Sequence, residues 1–347
     1  MTKRAMTLGV VYPAGVDPQL WAEGHSDGQL PDRWPYGLHR LNKDFVQTTA
    51  MQARPLKFWE KTKLASGLLV PHGASLAESK EDVSIAWDEY TAAKMVSQYP
   101  GKAMFSGVIW ATDLWKPGDN GVRASFSKRL LRSLTGLWCL SRPQVGEIEK
   151  QLDNGVAVDY LPFGIDHKFF DFRKQQSGRR VLSLGIDRHR DPETLLASLE
   201  IVHRAFPETE TLVQTSYSGA LPPGVTRFDR VPHATLRDLY RRATVVVIPT
   251  KPNLHASGMT VALEAGATGR PVVACSTPGM EDYVIDGQTG VLVPTGDPVA
   301  FAAATLEILA DSEFASSLGL EARKHVVNAH TSEIMVEKLR QIISKRL

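Results

Sequence analysis

A chain of 347 residues exceeds what one hydrophobic core usually holds, and its 43% apolar content supplies core for two domains. The net charge of +2 is too balanced for general polyanion affinity, which leaves nucleic acid out as a partner. Two cysteines, Cys139 and Cys275, form no metal-ligand spacing and fit a reducing, cytoplasmic compartment. The weakly apolar start reads as a strand and not a secretion signal, and no apolar run reaches the ~18 residues of a membrane span.

Apolar runs alternate with amphipathic ones from end to end. That pattern predicts an α/β chain of two doubly wound, Rossmann-like domains. Residues 7–12 form the first strand, and Gly15 in the turn after it would let a ligand approach the strand ends. The Trp-, Pro-, Gly- and Asp-rich stretch 18–35 reads as a loop, followed by a helix over 36–45 and strands at 66–71 and 83–87. Asp88 and Glu89 stand at the carboxyl end of the last of these, where open sheets bind ligands. They are candidates for acceptor hydroxyls, or simply cap the helix 90–98. The strand 105–110 opens into Trp110 and Asp113, an aromatic face and a carboxylate suited to a sugar. Lys128, Arg129 and Arg132 cluster on the helix 125–134, a solvated face or a peripheral contact with an anionic membrane. A strand at 137–140, a helix to about 152 and a strand at 158–162 close the first domain, 1–170. The polar segment 171–180 reads as a linker.

The second domain, 181–330, starts with a strand ending at Gly185. Arg188 and Arg190 follow in the loop before the helix 193–206, and two guanidiniums beside a helix N-terminus make an anion site. Strands at 212–215 and 226–231 and a helix over 234–242 lead to the strand 245–248. A loop holding Lys251, His255, Ser257 and Gly258 then enters the helix 259–267. The outward N–H groups of Gly258, Met259, Thr260 and Val261 and the helix dipole suit phosphate, and Glu264, one turn on, suits the hydroxyls of a ribose. A strand at 271–274, a hairpin within 282–293 and three helices complete the chain; the last, 331–347, is expected to return to the first domain. No Asp-x-Asp occurs for a chelated metal.

The stretch Glu264-Ala265 with Gly269-Arg270-Pro271-Val272-Val273 resembles the donor site of the GT-B glycosyltransferases, family 4. So does the pattern Val231, Leu236, Tyr240, Ala243. The resemblance is clear over about 180–330 and only in outline before it. It implies two domains facing across a cleft, and a retaining enzyme that moves a sugar from a nucleoside diphosphate sugar to a carbohydrate or lipid-linked acceptor without metal or other cofactor. It further implies that Gly15 and Gly185 approach the diphosphate, that Val231 lies beside the base, and that Arg188 and Arg190 stabilise the leaving group, with Arg188 standing in for a basic residue at Ile186. Ala256 occupies the position of the family's first Glu. A sugar-nucleotide epimerase of the same fold, or a non-catalytic nucleotide-sugar-binding subunit, stays open beside this reading.

Overall fold

The computed structural model describes residues 6–66, 81–115, 121–153 and 155–347. In chain order its elements are β1 (Thr7–Tyr12), α1 (Pro18–Ser26), a 3₁₀ segment (Pro35–Lys43), β2 (Gln47–Gln52), α2 (Phe58–Ser66), β3 (Glu81–Ala86), α3 (Glu89–Gln98), β4 (Gly101–Gly107), α4 (Ala111–Leu114), α5 (Val122–Arg132), β5 (Gly136–Cys139), α6 (Arg142–Gln151) and β6 (Val158–Tyr160). There follow β7 (Arg180–Ser183), α7 (Pro192–Ala205), β8 (Glu210–Val213), β9 (Val225–Arg227), α8 (His233–Arg242), β10 (Val245–Ile248), α9 (Met259–Ala267), β11 (Val272–Cys275), a 3₁₀ turn (Met280–Asp282), β12 (Gly290–Val293), α10 (Pro298–Ala310), α11 (Ser312–Ala329) and α12 (Ser332–Ser344).

The chain divides into two compact units, one of Met1–His25, Arg33–Pro162 and Met335–Leu347, the other of Ser26–Asp32 and Phe163–Ile334. Each holds one six-stranded parallel sheet, ordered β2-β1-β3-β4-β5-β6 in the first and β12-β11-β10-β7-β8-β9 in the second. Both sheets are doubly wound, as the alternation predicts. The chain leaves β1 for β2 and comes back to β3 on the other side of β1; it leaves β7 for β8 and β9 and comes back to β10 on the other side of β7. Winding of this kind opens a crevice at the carboxyl ends of β1 and β3 and another at those of β7 and β10.

Strands covered on both faces need unbroken apolar runs, and Val-Val-Val-Ile in β10 and Val-Val-Ala-Cys in β11 are buried at every position. Leu195, Leu199 and Val202 of α7 meet Phe301 and Ile308 of α10 in the core beneath them. Cys139 and Cys275 are buried free thiols. Among the described residues no helix is long and apolar enough to cross a membrane.

Several local expectations are corrected. The stretch 18–35 is not all loop: Asp17 Oδ1 accepts from the N–H groups of Gln19 and Leu20 at 2.8 and 3.3 Å, and with Pro18 in the first turn it starts α1. The helix expected at 36–45 is a 3₁₀ segment broken where Tyr36 and Gly37 take positive φ. β2, Gln-Thr-Thr-Ala-Met-Gln, was not foreseen, because a half-exposed edge strand carries no apolar run. The strand expected at 66–71 lies outside the described residues, apart from Ser66, which ends α2. Within 282–293 only β12 is a strand, and it pairs parallel to β11, so no hairpin forms.

The division after Pro162 falls upstream of the 171–180 segment. Residues 26–32 join the second unit through Asp32, whose N–H donates to Asp166 Oδ2 at 2.8 Å and whose Oδ1 accepts from Ser332 Oγ at 3.1 Å. Met335–Leu347 group with the first unit, where Arg340 pairs with Asp44 and Arg346 with Asp159.

Arg270 enters β11 fully buried. Its Nε donates to the Tyr240 carbonyl at 3.1 Å, and its Nη2 to those of Arg173 and Arg241 at 2.7 and 2.9 Å. Two of these carbonyls end α8, where a cation also suits the helix dipole. Burial pulls the pKa of the guanidinium down to about 10, which keeps it charged at neutral pH. Arg270→Met should take one donor from each of the three carbonyls, of which Tyr240 keeps the Ala243 N–H, and lower stability by about 2–4 kcal/mol, read as a lower urea midpoint; an unchanged midpoint would show that water replaces the guanidinium.

Candidate nucleotide-sugar site

The loops after β7 and β10 border the crevice of the second unit, and they are joined to each other. The Asp191 N–H donates to the Pro249 carbonyl at 3.1 Å, and the Lys251 N–H to that of His189 at 2.8 Å. Asp187 links them by side chain: its Oδ1 accepts from the His189 N–H at 3.0 Å and from Ser257 Oγ at 2.9 Å. The rings of His189 and His255 meet edge to face, 4.7 Å between centroids.

Arg190 sits at the centre of this arrangement. Its side chain is 12% exposed, and Nε lies 2.9 Å from Asp187 Oδ2. Gly185 and Gly258, both at positive φ (113° and 97°), leave the room it needs. A methyl group on Gly185 would lie 2.2 Å from Arg190 Nε, and one on Gly258 would lie 2.8 Å from Nη1. Burial lowers the pKa of Arg190, opposed by the charge of Asp187, and a guanidinium so placed stays cationic. Among the described residues its Nη1 has no hydrogen-bond partner. A buried guanidinium with an unused donor at a switch point suits an anion.

Gly258 is also the N-cap of α9, and no side chain caps that end. The first N–H groups of a helix have no partner within it, so those of Thr260 and Val261 reinforce the positive potential at Arg190. Met259 and Val261 are nearly buried; Thr260 is half-buried. Further into α9, Glu264 is 8% exposed and its Oε2 accepts from Tyr240 Oη at 2.7 Å. Burial drives its carboxyl up to about 7, against the pull of the Tyr240 hydrogen bond. Arg188 and Lys251 are exposed, and Val231 is half-buried before α8. Arg188 thus differs from Arg190 in burial although only two positions separate them. Ala256, fully buried, holds φ 51°, so its backbone is left-handed as well.

In the first unit Gly15 is exposed at φ 99° with open space where a Cβ would stand. Asp88 caps α3: Oδ1 accepts from the Thr91 N–H at 2.8 Å and Oδ2 from Thr91 Oγ1 at 3.0 Å. Glu89 is buried and accepts from the N–H groups of Ile109 and Trp110 at 2.9 and 2.8 Å. Burial also raises its pKa to about 7, despite those two donors. Asp88 therefore takes the capping alternative of the sequence reading, whereas Glu89 does not cap α3 but ties it to the backbone after β4. Trp110 and Asp113 lie half-buried beyond β4 at the start of α4.

Residues 194–311 match the family model described as glycosyl transferases group 1. The match lies wholly within the second unit. Curated relatives of the chain include D-inositol 3-phosphate glycosyltransferases from Corynebacterium diphtheriae, 34% identical over 38% of this chain and 30% of the relative, and from Paenarthrobacter aurescens, 29% identical over 54% and 52%. The chain thus spans between about a third and a half of these relatives' length. The fold is that of the sucrose-phosphate synthase from Thermosynechococcus elongatus, TM-score 0.68 at 17% identity, with 98% of each chain covered. It is equally that of Anabaena HepE solved with UDP-glucose, TM-score 0.65 at 12% identity, over 98% of this chain and 100% of the other. The fold is GT-B.

In this unit, sequence reasoning picks out Arg190, Gly258 and Glu264 but misses Asp187 and Tyr240. Asp187, three residues before Arg190, carried a legible signal as an i,i+3 acid–base pair; its contact with Ser257, far along the chain, carried none. Tyr240 was seen only as part of a pattern.

Glu264 makes stability depend on pH. Its folded-state pKa of about 7 lies above the ordinary 4.5. Between these values the folded chain keeps a proton that the unfolded chain has released. The stabilisation is therefore full below about pH 4.5 and is lost as pH rises through 7. Glu264→Gln should remove on the order of 3 kcal/mol of the fall in stability between pH 5 and pH 8, leaving the similar contribution of Glu89. Denaturation curves at those two pH values give the slope; an unaltered slope would mean that Glu264 is ionised in the free protein.

Proposed function

We propose that the protein is a metal-independent, retaining glycosyltransferase of the family 4 type, moving a sugar from a nucleoside diphosphate sugar to an acceptor hydroxyl. The observation that carries this reading is the Arg190 guanidinium, held between two left-handed glycines beside the uncapped start of α9. Supporting it are the group 1 domain and the UDP-glucose complex of HepE, a neighbour in fold. In this reading the diphosphate lies against Arg190 and the first N–H groups of α9, and Glu264 accepts from the ribose hydroxyls. The bond from the anomeric carbon to phosphate oxygen breaks, a bond to the acceptor oxygen forms on the same face, and the acceptor proton passes to the departing diphosphate. Negative charge grows on that diphosphate, so a fixed, desolvated cation contributes more in the transition state than in the ground state. Arg188, at the surface, would assist the same charge. The inositol phosphate acceptors in the relatives' names make an inositol phosphate the first acceptor to try, with UDP-glucose the first donor.

Ala256 gives the donor sugar no carboxylate, which favours a test that separates transfer from mere binding. Acceptor-free hydrolysis of the donor is expected of a transferase; binding without any turnover would identify a nucleotide-sugar-binding subunit, and isomerised donor an epimerase.

Arg190→Ala should lower kcat by about 10²–10³ with a smaller change in donor KM, as for loss of one fixed oxyanion donor. A change confined to KM would assign Arg190 to uniform binding and move the leaving-group role elsewhere. Because Arg190 and α9 already supply positive potential, turnover should persist in excess EDTA; loss in EDTA with recovery on adding manganese would contradict that mechanism.

A further inference from the structure

The crevice at β1 and β3 contains a feature that neither the donor reading nor the capping carboxylates use. Trp87 directly follows β3 and is 6% exposed, while Tyr36 lies over it almost parallel, with ring centroids 4.2 Å apart and planes at 11°. The inner ring is wedged in place. Trp138 packs against it at 6.2 Å, and a methyl on Gly107 would fall 2.0 Å from the Trp87 carbonyl oxygen. Tyr36 itself remains 38% exposed.

The backbone beneath Tyr36 is costly to hold. Tyr36 adopts φ 61°, ψ 13° and Gly37 φ 70°, ψ 14°; such values are ordinary for glycine and rare for an aromatic residue. The conformation is fixed from below, where buried Tyr12 Oη donates to the Pro35 carbonyl at 3.4 Å and the Gly37 N–H to that of Trp34 at 2.9 Å. Burial of the hydroxyl end alone does not explain this strain, since more than a third of the residue faces solvent. What the conformation achieves is a flat aromatic surface, backed by a second ring, at a switch point where doubly wound sheets bind ligands.

We propose that Tyr36 and Trp87 form a stacking platform for a ring-shaped polyol, a pyranose or a cyclitol, which rests on the transferase reading above and assigns its acceptor a place in the first unit. The C–H face of such a ring suits an aromatic face, and its hydroxyls suit the groups around it. Burial and the neighbouring Asp88 charge raise the Tyr36 hydroxyl to about 12, so the ring stays neutral. Asp88 is half-buried, and its carboxylate has acceptor capacity beyond the two bonds that cap α3.

The test uses the full chain labelled with 5-fluorotryptophan, the fluorine signal of Trp87 being assigned among the seven tryptophans by Trp87→Phe. Methyl α-D-glucopyranoside and myo-inositol are titrated separately, with sorbitol as the open-chain control. The Trp87 signal should shift saturably with one or both ring polyols and not with sorbitol. Tyr36→Phe should bind within about threefold of the parent and Tyr36→Leu about tenfold more weakly. Tyr36→Asn keeps the test decisive if leucine disturbs folding, since asparagine accepts the left-handed conformation and should relieve strain while abolishing the shift. A Trp87 signal indifferent to both ring polyols, an equal response to sorbitol, or unchanged affinity in Tyr36→Asn would overturn the platform. Thermal stabilisation by UDP-glucose is measured in the same samples. Its absence in the parent would count against the donor reading alone, because the polyol titration does not depend on it.

Discussion

The crevice of the second unit is built around one positive charge, Arg190, kept away from water. Taking a guanidinium out of solvent is unfavourable unless a counter-charge and hydrogen-bond acceptors meet it. Here Asp187 supplies the charge, while Gly185 and Gly258 give up their side chains to make the space. The constraint spreads outward from there. Gly258 at positive φ places the start of α9, Ser257 is tied through Asp187 to the loop after β7, and the paired loops hold the ends of β7 and β10. An arginine in this setting is poised in advance, with little reorganisation required when an anion arrives.

Glu264 and Tyr240 form the complementary half. A carboxyl group in an apolar helix would be a liability unless its state could respond to a ligand. A hydroxyl-bearing ligand that donates to Glu264 would stabilise the carboxylate and displace its proton, so the group discriminates between ligands with and without such donors. In the proposed reading Arg190 would address charge and Glu264 hydroxyls, with the single short helix α9 between them.

Much of this was legible in the sequence where the signal is local. Unbroken apolar runs announced buried parallel strands, and a glycine before a run of good helix formers announced α9. Signals that depend on distant neighbours were silent. Arg188 and Arg190 looked alike, because which of them turns inward is decided by pairing with the loop after β10. Arg270 enters the sequence reading only as a letter of a strand-leading motif, since its three carbonyl partners come from two other segments. β2 has no apolar periodicity to read, since an edge strand is held by backbone hydrogen bonds to β1. Asp17-Pro18 was a readable helix start, obscured by the turn-rich composition that follows it.

Neither unit is a continuous stretch of chain. The first takes in residues from Met335 onward, and the second needs Asp32, whose N–H and carboxylate engage Asp166 and Ser332. A chain emerging residue by residue would thus make all six strands of the first sheet long before the helix that covers part of it. Arg340 and Arg346, which pair with Asp44 and Asp159, are synthesised only after the whole of the second unit. The first unit is therefore complete only once the second has been translated.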